Sequence, residues 1–141
     1  MLSKKVVSLF ASVIVLVSAS CPAFAASYVK SPQSAPIQVD YVYTNMASST
    51  LRISGGIATI IGFVQRTTSG KKVYVESTLQ RYSGGFWYAI KSWSKSSTDY
   101  AASVSAKYKV SSGRYRVATY YSVTGANGTE SGTVYSKTVT C

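Results

Sequence analysis

The chain contains no histidine, and only four of its 141 residues are acidic. The missing imidazole removes the usual general base and the commonest metal ligand near neutral pH. A Ser-His-Asp or Cys-His arrangement cannot be built. The four acids, Asp40, Glu76, Asp99 and Glu130, are scattered. A glycosidase pair would need two of them held in space, about 5 Å apart in a retaining enzyme. Each reads more simply as a partner for a nearby Lys or Arg. No phosphate-binding loop, EF-hand or metal-spaced cluster stands out, and serines and lysines are too frequent for any Ser-Lys pair to carry weight. The expectation is a protein that is not an enzyme and takes no cofactor.

Cysteine and proline are scarce too. The cysteines are Cys21 and Cys141, and the three prolines are Pro22, Pro32 and Pro36. A disulfide-dense secreted scaffold is thereby excluded, and after Pro36 nothing of that kind interrupts a strand. No segment carries a helical stripe of apolar residues.

The first residues carry the export features. Lys4 and Lys5 precede an apolar run from Val6 to Ala19, and Ala23-Phe24-Ala25 offers small residues where a signal peptidase cuts. Residues 1–25 are expected to be a signal peptide, the run being shorter than the roughly 20 residues of a membrane span. The rival is a lipoprotein signal ending at Cys21. Residues 26–36 read as a flexible leader and residues 37–141 as one domain. Without Lys4 and Lys5, the 15 basic residues fall to 13 against 4 acidic ones, a net charge of +9. That charge favours anionic partners.

From Ile37 on, the period is two. Ile37 to Tyr43, Leu51 to Ile53, Ile57 to Arg66, Lys71 to Tyr82, Phe86 to Trp93, Thr98 to Val110, Gly113 to Thr124 and Thr129 to Thr140 read as strands. Gly55-Gly56, Ser83-Gly84-Gly85 and Asn127-Gly128 read as the turns between some of them. Ile57 to Arg66 is apolar at both parities, as expected of a well-covered central strand. Seven to eight antiparallel strands with short turns predict an all-β fold, a two-sheet sandwich or a small barrel.

Ser111-Ser112-Gly113-Arg114-Tyr115-Arg116-Val117 resembles the tyrosine corner of immunoglobulin-like sandwiches. That resemblance implies a Tyr115 hydroxyl bonded back to upstream backbone, with Val117 where antibody domains carry a cysteine. The cysteine pair itself is absent, and Trp87 and Trp93 lie after the third strand. Leu79 to Trp87, Trp93-Ser94, Tyr108 to Val117 and Gly128 to Ser131 together resemble motifs of an uncharacterised group of small secreted proteins of Gram-positive bacteria. The resemblance implies a sandwich and brings no activity with it.

Two surface features point to binding. Strand alternation puts Lys107 with Lys109, and Arg114 with Arg116, on one face each. If the two strands sit in opposed sheets these are separate patches, yet the short connection keeps Lys109 and Arg114 near one end, suited to the phosphates of an anionic wall polymer or a lipid headgroup; the alternative is a solvated face that discourages edge aggregation. The second feature is aromatic, with twelve tyrosines and two tryptophans. Tyr82 and Trp87, with Trp93, suit a platform for sugar rings, or else fill the core and its rim. The expected function is a secreted, non-catalytic binding domain on an anionic or glycan envelope surface. The alternative is a cationic antimicrobial or toxin-like effector, against which the absence of a basic amphipathic helix counts. A protein partner stays open, and specific nucleic-acid binding is not expected, since basic residues alone attract any polyanion.

Overall fold

The computed structural model describes the backbone of residues 23–30 and all atoms of residues 41–141. Nine strands lie in the described residues: β1 (Ala23–Lys30), β2 (Thr44–Ser54), β3 (Ile57–Arg66), β4 (Gly70–Ser83), β5 (Phe86–Ser97), β6 (Ala101–Lys109), β7 (Arg114–Gly125), β8 (Gly128–Tyr135) and β9 (Val139–Thr140). There is no helix among them, and so none that could cross a membrane. The strands form two antiparallel sheets. The first has the order β1-β2-β3-β6, and the second β5-β4-β7-β8 with β9 beside the start of β7.

Burial alternates along β3, β4 and β7, so each sheet turns one face inward. The hairpin loops Gly55-Gly56 and Gly84-Gly85 all have positive φ, the backbone that a two-residue turn between right-twisted strands requires. Two apolar clusters fill the interior. One gathers Leu51, Ile53, Ile60, Leu79, Tyr115, Val117 and Val139, and the other Val64, Val73, Val75, Val104, Tyr121 and Val123.

Between the clusters runs a buried chain of hydroxyls. Thr119 donates to Ser49 (2.9 Å), and Ser49 donates to the Val117 carbonyl (3.2 Å). With the single Thr119 proton so committed, Ser77 must donate to Thr119 across 2.8 Å. Gly62, opposite Ser49 in register, completes this level. A Cβ at Gly62 would meet the Ser77 hydroxyl, so glycine lets the sheets close over the chain.

The Tyr115 hydroxyl donates to the Ser111 carbonyl at 2.8 Å with its ring buried, the bond that the corner motif implies. Tyr115→Phe should cost about 1 kcal/mol, because the Ser111 carbonyl loses its partner. In urea unfolding the midpoint should fall with the slope unchanged. A second stability effect concerns pH. Burial pushes the Tyr121 phenol above its ordinary 10.0, helped by the nearby Tyr41 and the Glu130 carboxylate. The unfolded chain then ionises first, so the contribution is intact below about pH 10 and lost as pH rises through the folded value. Tyr121→Phe should flatten that alkaline loss in urea midpoints measured from pH 9 to 11.

Several strand and turn positions differ from those expected. The first strand was expected from Ile37 to Tyr43; residues 37–40 lie outside the described ones, and 41–43 are not strand. The strand instead runs from Thr44 to Ser54 and absorbs the short Leu51 to Ile53 segment. Ile57 and Ile61 are 38% and 39% exposed, so β3 is central in its sheet but covered on one face only. The last turn comes one residue early: Gly125 pairs with Gly128 around Ala126-Asn127. Residues 1–22 lie outside the described residues. The expected cleavage point at Ala25 and the first residues of the expected leader fall within β1, which pairs with β2.

Two of the acids serve hydroxyl or backbone partners, and Asp40 lies outside the described residues. Glu130 takes the backbone amides of Val42, Tyr43 and Thr44 at 2.6–3.0 Å, fixing the entry to β2, and Glu76 accepts from the Tyr74 hydroxyl. Cys141 is half-buried against the first apolar cluster, its backbone doubly bonded to Gly113.

Candidate binding faces

The outer face of the second sheet is built from alternate residues of four strands. On β7 the inward positions are Tyr115, Val117, Thr119 and Tyr121, so Arg114, Arg116, Ala118 and Tyr120 point out. Register sets Arg116 opposite Gln80, Tyr82 opposite Trp87, and Ala118 opposite Tyr135. Four strands therefore deliver Trp87, Tyr82, Gln80, Arg114, Arg116 and Tyr135 to one end of one face.

Arg116 is the centre of this cluster. Its guanidinium carbon lies 4.3 Å from the Trp87 ring centroid and 4.4 Å from that of Tyr135, held between two rings. Its Nε donates to Gln80 Oε1 at 2.8 Å. Arg114 sits 5.1 Å over Tyr82, and Tyr82 meets Trp87 edge to face at 5.2 Å and 62°. Guanidinium on aromatic faces is favourable by about 0.5–1 kcal/mol at exposed sites. It also fixes the fork, whose other N–H groups keep their donor capacity.

Further along the face, Tyr120 meets Tyr74 edge to face at 6.1 Å, and Thr78 bonds Ser92 across strands at 2.7 Å. The hydrogen bond to Glu76, then burial, raises the Tyr74 phenol, so it stays a neutral donor. Tyr120 and Tyr135 are 42% and 45% exposed. The face thus interleaves flat rings with hydroxyl, amide and guanidinium groups.

Of the six residues expected to bind, the structure brings together Tyr82, Trp87, Arg114 and Arg116. Lys107 and Lys109 stand on β6, in the other sheet; their exposed positions alternate with the half-buried Tyr108. The basic residues are therefore two patches on opposite outer faces. Trp93 does not join the platform. It packs edge to face on Tyr108 at 6.1 Å and closes the edge between the sheets. Phe86 and Tyr88, alternating with Trp87, form the exposed side of the hairpin.

Tyr135, Gln80 and Tyr120 were not among the expected residues. Alternation identifies their face once register is known. Comparison with protein-family models, with curated proteins and with solved structures gives no match.

Proposed function

We propose that the chain is a secreted, non-catalytic binding domain of immunoglobulin-like type. Its ligand is a glycan of a cell-envelope surface, taken on the outer face of the second sheet. The observation that carries this reading is Arg116 clasped between Trp87 and Tyr135, beside the exposed rings of Tyr82 and Tyr120. Sugar rings present apolar C–H faces and a rim of hydroxyls. Rings interleaved with fixed donors and acceptors match both, and aromatic side chains contribute area at small entropic cost. The immunoglobulin-like class is supported by the two-sheet strand order and by the Tyr115 corner. Export is supported by Lys4, Lys5 and the apolar run after them.

The test is retention of the full chain on isolated Gram-positive cell walls, intact or stripped of anionic polymer, across a salt series. A glycan ligand requires retention on stripped walls that survives high salt, because stacking is not screened. No retention on either wall, or retention that needs the anionic polymer and fades with salt, would overturn the glycan reading.

A further inference from the structure

The outer face of the first sheet holds a second cluster, unrelated to the aromatic platform. Register puts Arg52, Thr59 and Lys107 in one cross-strand row, and Ser54, Ile57 and Lys109 in the next. These six, with Tyr108, line a shallow basin of about 500 Å³. Adjacent strands lie roughly 4.8 Å apart, and alternate residues roughly 7 Å apart along a strand. Three cationic side chains therefore rise from a patch on the order of 10 Å across, and among the described residues no carboxylate lines it.

We propose that this basin is an oxyanion site, selective for phosphate groups of an envelope polymer or headgroup. The chemistry follows from its contents. Lys107 and Lys109 are flexible point charges that reach a common anion from one strand, and Arg52 adds positive charge to the basin from two strands away. The hydroxyls of Thr59 and Ser54 line the same basin, able to donate to the same oxygens. Ile57, exposed in the middle, suits the carbon backbone linking one phosphate to the next. Its exposure also accounts for the uncovered face of β3.

The basin lies on the opposite sheet from Arg116, so the two sites act independently and a polymer can be held on both faces at once. The competing explanation is edge protection. β6 ends the first sheet, and lysines on an edge strand repel unwanted pairing.

The test is a backbone amide NMR titration of the full chain with sodium pyrophosphate at constant ionic strength, with chloride as control. Saturable shifts are expected in residues 52–59 and 105–109. Affinity should fall about tenfold or more in Lys107→Gln/Lys109→Gln and stay unchanged in Arg116→Ala. Thermal melts of both variants should stay cooperative and lie within about 8 °C of the parent. Shifts that follow ionic strength alike in pyrophosphate and chloride would overturn the site, as would loss of binding in Arg116→Ala alone. A further arm separates the sources: soluble poly(glycerol phosphate) against vesicles of anionic phospholipid. Lys107- and Lys109-dependent binding to either supports the site and names its source, and binding to neither overturns it. None of these outcomes depends on the glycan reading, which is tested on the other face.

Discussion

Gly62→Ala is expected to destabilise the domain more than any other single-methyl addition in the interior. The new Cβ would fall on the Ser77 hydroxyl and press on Thr119 at about 3.0–3.1 Å. Both side chains belong to the buried hydroxyl chain, so relief of the clash breaks hydrogen bonds as well as packing. Overpacking costs about 1–3 kcal/mol, and a buried donor left without a partner about 1–3 kcal/mol more. A loss of roughly 3 kcal/mol lowers Tm by about 12–24 °C in a domain near 100 residues. The mechanism has its own check. Ser77→Ala removes the worst contact, so the double variant should recover part of the loss, and a simple sum of the two single losses would rule the mechanism out.

The largest functional effect is expected at Arg116. In Arg116→Ala, wall retention at high salt should weaken on the order of 20-fold, because one fixed fork supplies charged hydrogen bonds of about 1.5–3 kcal/mol each. Trp87→Ala should do comparable damage, since it removes both a stacking surface and one wall of the clasp. Arg116→Lys should rescue little, because an ammonium lacks the planar fork that stacks between two rings. Stability should move by less than about 1 kcal/mol in Arg116→Ala, the side chain being outside the core. Retention unchanged in both alanine variants would remove the platform from the account of binding.

Much of the fold is legible in the sequence because period-two alternation is strong in β3, β4 and β7. The exception, β2, is instructive. Its inward positions include Ser49, a polar residue buried because it bonds Val117 and Thr119. Nothing local distinguishes that serine from an exposed one, so only the Leu51 to Ile53 end looks like a strand. The Asn127-Gly128 turn is displaced by one residue for a related reason: either dipeptide closes a tight loop, and pairing with β7 decides. The displacement slides Tyr135 by two residues along β7, from opposite Tyr120 to opposite Ala118, without changing its face.

The candidate site divides along the same line. Facing relations within a strand, Arg114 with Arg116 and Lys107 with Lys109, follow from alternation and hold in the structure. Relations between strands are set by sheet order, which the sequence does not encode locally. So the clasp of Arg116 by rings from β5 and β8, and the row joining Arg52 to Lys107, emerge only in three dimensions. The two tryptophans make the point sharply. Both stand on the same hairpin strand, six residues apart, yet the register shift between Leu79 and Gln80 puts them on opposite faces.

That separation supplies the most direct measurement. The indole N–H signals of Trp87 and Trp93 can be followed by NMR while the full chain is titrated with soluble peptidoglycan glycan strands. Trp87 lies on the proposed binding face and Trp93 at the edge between the sheets. The expected result is a saturable shift of the Trp87 signal with Trp93 unmoved. A saturable shift of Trp93 alone, or no shift of either at saturating glycan, would contradict the claim that the outer face of the second sheet is the binding face.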